Sequence, residues 1–308
     1  MSTESLPVKT KAAANLAKSA DSPWRLAFRQ FSRNRLAVAG FIILLVMTMI
    51  CFIGPLFSPY NLYDYSIKDK NLAPNAHYWL GTDKLGRDVL LRLMLAGRIS
   101  LLVGIVATLV TVLIGSILGA LAGFYRKFVD TVIMRTADIF MSLPTLPILI
   151  ILGTVLSDLK VHPSYRIYFL MLIIGLLNWT TLARLVRGQV LMLREQEFMQ
   201  ATEALGLRDR RKIFRHLLPN TVPIIIVTAT LSVASAILYE SAMSYLGIGV
   251  VPPTPSWGNM IADANSLIDF RKRPWLWIPP GMCILITTVA INLIGDGLRD
   301  ALDPKSKK

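Results

Sequence analysis

The chain has 308 residues, of which 54% are hydrophobic and only 17% charged, with a mean hydropathy of +0.53. That balance excludes a disordered chain and an ordinary soluble domain. The formal charge of +14 leaves nucleic acid and anionic membrane as the attractive partners, so the placement of the basic residues has to choose between them.

Residues 1–35 form a tail with seven basic residues, ending in RLAFRQFSRNR, where Leu26, Phe28 and Phe31 mix with four arginines. Two readings fit: a short amphipathic helix at the membrane interface, or a simple basic anchor. Residues 36–57 carry no charge over 22 positions. That is enough, at about 1.5 Å per residue, to cross a hydrocarbon layer of roughly 30 Å. The long basic tail ahead of this run argues for an uncleaved first span rather than a cleaved signal. Residues 58–98 then form a segment too small for an independent substrate-binding domain, and read as a packed cap. Within it Gly81 to Asp88 supply a turn and a helix start. Asp83, Arg87 and Asp88 serve either charge pairing and capping or contact with a substrate or partner.

Five further apolar runs follow, at residues 99–124, 137–157, 167–183, 221–246 and 276–295, and six spans result. The second holds Gly104, Gly115, Gly119 and Gly123 at spacings that permit close helix packing, generic or at a subunit seam. The third contains Pro144 and Pro147, which predict a kink. Spanning segments must satisfy their own backbone, and no ten-residue alternation suggests a barrel, so the fold expected is an all-α polytopic membrane protein. With the first tail inside, the inner segments hold 22 Lys and Arg and the outer segments 11. This bias places both termini in the cytoplasm and makes the positive charge a topology signal with lipid as its partner; no nucleic-acid module is recognisable.

The inner segment 184–220 is too charged to enter the membrane yet keeps an apolar face. Phe198, Ala201 or Thr202, and Leu205 recur at helical spacing; Gly206 permits a sharp C-terminal turn that Leu207 can cover. A second helix is expected with Asp209 as N-cap, an apolar face of Ile213, Phe214, Leu217 and Leu218, and Arg210, Arg211, Lys212 and Arg215 around it. Pro219 is expected to interrupt its continuation into the fifth span. Such a helical hairpin has little core of its own, so partner docking and packing on the membrane domain both remain open.

Glu240 within the fifth span demands a polar partner, with structural, pathway and proton-coupling roles all conceivable, and Asn178 is a weaker candidate of the same kind. His77, His162 and His216 form no spaced cluster with cysteines or carboxylates, so no metal site is expected. Cys51 and Cys283 lie in separate apolar runs and read as small buried side chains. Trp257, Trp275 and Trp277 read as anchors at the outer interface.

The chain resembles, over nearly its whole length, the integral-membrane permeases of ATP-binding-cassette importers, specifically the C-type subunit of peptide and nickel importers. The family's cytoplasmic motif is EAA, three residues, Gly, nine residues, Ile-x-Leu-Pro. Gln200, Ala201 and Thr202, then Gly206, then His216, Leu218 and Pro219 stand at the matching positions, with Gln200, Thr202 and His216 departing from it. Three other blocks look alike: WLGTDKLGRDVLLRLMLAGRIS (79–100), ILYESAMSYLGIGVVPPTPSWGNMI (237–261) and GDGLRDALDP (295–304). The resemblance implies a type I importer permease in a prokaryotic plasma membrane, whose motif forms a coupling helix on an ATPase. It further implies a second permease subunit, two cytoplasmic ATPases carrying ATP and magnesium, and an extracytoplasmic binding protein that delivers a peptide, a nickel complex or another small solute. This chain has no GxxxxGK[ST] loop, so it is expected to bind no cofactor and to catalyse no hydrolysis. A noncatalytic membrane scaffold or an ion-driven carrier is the alternative of a different class.

Overall fold

The structure, a computed structural model, describes residues 23–302. Expectations placed on residues 1–22, and on Pro304 in the final block, lie outside the described residues. All the regular structure described is helical apart from one isolated β-bridge between Thr82 and Asp88.

The tail before the first span does form a helix, α1 (Pro23–Arg33), and α2 (Arg35–Ile53) follows almost at once. Asn34 between them accepts the Leu36 and Ala37 N–H groups at 3.1 and 3.2 Å, capping α2. One side of α2 packs on the last helix, where a Cβ on Gly40 would stand 2.7 Å from the Ala290 carbonyl oxygen. Its other side leaves Phe41, Ile42, Leu45, Val46 and Met49 exposed, as a helix facing lipid does.

Helix α3 (Val89–Tyr125) starts well before the predicted run and is about 55 Å long at 1.5 Å per residue, longer than a hydrocarbon layer. Its early arginines are tolerated because each has hydrogen-bond acceptors, although the buried Nε of Arg92 has none. Arg98 donates to the carbonyls of Cys51 and Phe52, both at 2.8 Å, closing the C-terminal end of α2. The third run is split into α4 (Lys127–Ser142) and α5 (Thr145–Asp158), bent by 83°. Pro144 stands at the break, and Pro147 falls in the first turn of α5, where no N–H is required.

Helix α6 (Pro163–Arg194) runs parallel to α3 and continues past the predicted end at 183. Arg187 donates to both oxygens of Asp130 at 2.5 and 2.6 Å, and Arg184 pairs with Asp138, so α4 accommodates the charges that were expected to end the span. Against α6, Gly115, Gly119 and Gly123 form a close seam. A Cβ on each would stand 2.8, 2.5 and 2.9 Å from the carbonyl oxygens of Trp179, Ala183 and Arg187. Gly104 instead meets Ile237 of the fifth spanning helix. This chain's own helices occupy these glycines, which answers the question of a subunit seam.

Helices α7 (Glu197–Ala204), α8 (Leu218–Tyr245), α9 (Trp257–Ala262), α10 (Leu267–Lys272) and α11 (Ile278–Leu302) complete the chain. Five helical stretches are long and apolar enough to cross a membrane, or six where the bent α4–α5 pair counts as one span. All six predicted runs are helical; α3, α6, α8 and α11 are longer than predicted, whereas α2 is shorter and the third run is split. Trp257 corrects its expected place. It is fully buried, its indole N–H donating to the Leu93 carbonyl at 3.2 Å, and so belongs to the core rather than to an interface belt.

The 58–88 segment and α9–α10 gather at one end of the bundle, the cap end; α7 lies at the other, the hairpin end. Both described chain ends lie at the hairpin end, since α1 packs on α11 through Phe31 and Gly297.

Candidate coupling surface and buried polar sites

Helix α7 begins where α6 stops, and its base is riveted. Arg126, just past α3, pairs with Glu195, while Arg194 donates to the Phe124 carbonyl and lies over the Phe124 ring at 5.3 Å. The Arg126 guanidinium, by hydrogen bond and charge, holds the Glu195 carboxyl below the usual carboxylate range. The far end of α7 closes as the spacing predicts. Gly206 adopts φ +64°, its N–H donates to the Glu203 carbonyl at 2.9 Å, and the Leu207 N–H reaches back to Thr202 at 3.1 Å.

The second half of the hairpin differs from expectation. Arg208, not Asp209, occupies the N-cap position, and no side chain caps it. Asp209–Arg211 is a single turn that passes into six π-helical residues, Lys212–Leu217, and these run directly into α8. Pro219 therefore does not interrupt the path: it sits in the first turn of α8, where the wider π turn before it leaves room for its ring.

The hairpin has two unlike faces. Met199, Thr202, Ile213 and Leu217 are buried against α3 and α6, and the Thr202 hydroxyl donates to the Met199 carbonyl at 2.7 Å. Facing outward are Gln200, Ala201, Gly206, Arg210, Arg211 and Pro219, with Phe198 (39% exposed), Leu205 (77%) and Phe214 (46%). Phe214 thus leaves the apolar face predicted for it. His216 and Leu218 are half-buried, the His216 carbonyl accepting the Asn220 amide at 2.6 Å.

Glu240 is fully buried, with no cation in its hydrogen-bond shell among the described residues. Ser100 and Ser244 donate to its two oxygens, each at 2.7 Å, and Ser241 lies at 3.4 Å. Both serine oxygens in turn accept backbone N–H groups, Ser100 from Trp257 at 3.3 Å and Ser244 from Val250 at 2.9 Å, which frees their own protons for the carboxyl group. The cage joins α3, α8 and the loop leading to α9. Asn178 lies elsewhere, donating to the Ile174 carbonyl at 2.8 Å on the wall of a cavity between α3, α6 and α8.

At the cap end Asp83 organises its turn, accepting the Leu85 and Arg87 N–H groups at 2.8 and 3.0 Å. Its other oxygen receives Arg87 at 2.7 Å and Arg92 at 2.6 Å, and Arg92 also reaches Asp263 at 2.7 Å. Asp88 caps α3 through the Leu91 N–H at 2.7 Å; burial pushes its carboxyl upward against that bond. Asp269 of α10 is held low by the Ser266 hydroxyl, then by Lys84 and Arg273. Asp83, Arg87 and Asp88 are all buried, so none offers its charge at the surface; the exposed groups beside them are Trp79 and Leu85.

Sequence reasoning passed over Ser100, Ser244, Arg92 and Asp263. Only Arg92 left a local signal, as a charge in the first turns of an apolar helix. Among the described residues no three His, Cys, Asp or Glu side chains group as metal ligands would.

Comparison with known proteins agrees with this geometry. Residues 112–308 match the family described as binding-protein-dependent transport system inner membrane component, and residues 22–74 match the N-terminal transmembrane domain of oligopeptide transport permease C. The dipeptide transport system permease protein of Alkalihalophilus pseudofirmus is 38% identical over 289 residues, covering 94% of this chain and 92% of that protein. The oligopeptide transport system permease protein of Bacillus subtilis is 37% identical over 296 residues, with 96% and 94% covered. The glutathione transport system permease protein of Pectobacterium atrosepticum is 36% identical over 295 residues, with 94% of each covered. A bundle of five to six membrane-length apolar helices, a riveted hairpin at the motif positions and two family matches lead to one assignment: the chain is a multi-pass membrane protein of the binding-protein-dependent transport family, in its C-type peptide-permease branch.

Proposed function

We propose that this chain imports short peptides as one half of an ATP-driven permease, its hairpin end in the cytoplasm and its cap end outside. The observation that carries the reading is the division of the hairpin. Its inner face is locked to α3 and α6, while Phe198, Leu205 and Phe214 stand outward among Gln200, Arg210 and Arg211. Apolar anchors ringed by charge suit a groove on a cytoplasmic ATPase. Movement of that ATPase is then transmitted through the rivets at Arg126 and Arg194 to α3 and α6.

A second permease subunit completes the pathway, a second ATPase completes the motor, and an extracytoplasmic binding protein docks at the cap end. There the Asp83–Arg87–Arg92 knot, buried and tied to half-buried Asp263, shapes a firm platform beneath Trp79 and Leu85. ATP and magnesium belong to the ATPases, and this chain hydrolyses nothing. Dipeptide, oligopeptide and glutathione permeases among the relatives share one solute chemistry, a short amide-linked chain ending in carboxylate.

The test is cross-linking in the assembled complex. Leu205→Cys should capture the ATPase through a short bifunctional thiol reagent, and Thr202→Cys, buried, should not. Equal capture from both, or from neither, contradicts the docking face.

A further inference from the structure

A cavity of about 330 Å³ opens between α3, α6 and α8, and Thr, Ser and Asn side chains line part of its wall. Thr108, 5% exposed, has a side-chain oxygen with no hydrogen-bond partner, and it lines this space. Around it Thr111 donates to the Gly175 carbonyl at 3.2 Å, Asn178 to Ile174 at 2.8 Å, Thr228 to Ile224 at 2.8 Å and Ser232 to Thr228 at 2.9 Å. Thr111 gives its proton across to α6 and the two other hydroxyls give theirs to their own helix, which leaves oxygen lone pairs for whatever enters. A hydroxyl buried without a partner is costly unless something else supplies the bond.

Arg299 lines this cavity and also a second one, of about 300 Å³, that reaches Asn220 at the hairpin end. It makes no ion pair among the described residues. The arrangement is directional, with acceptors along the groove and one guanidinium where the two cavities meet.

We propose that this groove is the solute-facing surface of the chain, taking a short peptide with its N–H groups on the Thr, Ser and Asn oxygens and its carboxylate on Arg299. Backbone N–H groups occur in every peptide, so such a lining accepts many sequences, while Arg299 reads the one charge that a free C-terminus supplies. Pairing at Arg299 draws the carboxylate toward the hairpin end, from which the second cavity leads out. This inference rests on the import function proposed above.

The experiment uses the whole complex, with companion permease, ATPases and binding protein, in proteoliposomes with alanyl-alanine as solute. Ser232→Cys should react with a water-soluble methanethiosulfonate, and alanyl-alanine with ATP should slow that labelling; Leu113→Cys, on the exposed apolar side of α3, should stay unlabelled. Arg299→Gln should lower alanyl-alanine uptake about tenfold, the scale of one charge-assisted hydrogen bond, and Arg299→Lys should restore much of it. An unreactive Ser232→Cys, labelling that the dipeptide does not slow, or wild-type uptake in Arg299→Gln would overturn the groove while leaving import standing. A wild-type complex with no ATP-dependent uptake of alanyl-alanine would instead overturn the import function, and the groove with it.

Discussion

The hydroxyl of Ser100 in α3 donates to the carboxyl of Glu240 in α8 at 2.7 Å, and its oxygen receives the Trp257 N–H at 3.3 Å. One side chain thereby ties two spanning helices to the start of α9. Ser100→Ala leaves both a buried carboxyl oxygen and a buried N–H short of a partner. We expect a loss on the order of 1–3 kcal/mol, read as a fall in the unfolding temperature of the detergent-solubilised protein. Glu240→Leu strands the Ser100 and Ser244 hydroxyls together and should cost at least as much; an unchanged unfolding temperature in both variants would show that the cage carries no stability.

The two faces of the hairpin should separate stability from coupling. Ile213→Ala and Leu217→Ala remove fully buried side chains and should destabilise by about 2–5 kcal/mol. Leu205→Ala and Phe214→Ala remove exposed ones, so thermal unfolding of the isolated chain should barely move while ATPase co-purification falls. Gly206→Val forces a branched residue to φ +64°, at a cost of roughly 1–2 kcal/mol at the turn itself. Space is not the obstacle there, since no atom stands within 4 Å of a Cβ at that position.

Gly119→Val is the test of the α3–α6 seam. Its Cβ would lie 2.5 Å from the Ala183 carbonyl oxygen, which is backbone and cannot rotate away, so the helices must part. Folded yield from membranes should drop sharply, whereas Gly188→Val, where nothing lies within 4 Å, should be near wild type.

Two carboxyls at the cap end should give opposite pH slopes. Asp269 is held low by Ser266, Lys84 and Arg273, so its contribution is complete above the unfolded carboxylate value, near 3.9, and is lost as pH falls through the folded value. Asp269→Asn should flatten the acid limb of the stability profile. Asp88 is pushed up by burial, so its share of stability weakens as pH rises from the unfolded to the folded value. Asp88→Asn keeps a good N-cap and should remove that slope; unfolding midpoints measured across pH check both.

Local chemistry was readable wherever neighbours in sequence decide it. Unbroken apolar runs announced the spans, Pro144 the bend between α4 and α5, and Gly206 the end of α7. The failures have physical causes of two kinds. Asp209 has the chemistry of a cap and Pro219 that of a breaker, yet a π-helical stretch between them shifts the register, and that depends on how Ile213 and Leu217 pack. Arg184 and Arg187 carry charges that should end a span, but they meet Asp138 and Asp130 across a helix interface. Pairings such as Arg92 with Asp263 join residues too distant in sequence for any periodicity to reveal. The coupling surface was legible as spacing; the cage around Glu240 and the groove beside Thr108 needed three dimensions.

In the function proposed above this chain, joined by a second permease, two ATPases and a binding protein, moves a short peptide at the expense of ATP. Reconstituted in liposomes with that set, it should accumulate radiolabelled alanyl-alanine only when ATP, magnesium and the binding protein are all present, and Phe214→Ala should slow accumulation. Accumulation by this chain alone under a proton or sodium gradient, without the ATPases, would contradict the account.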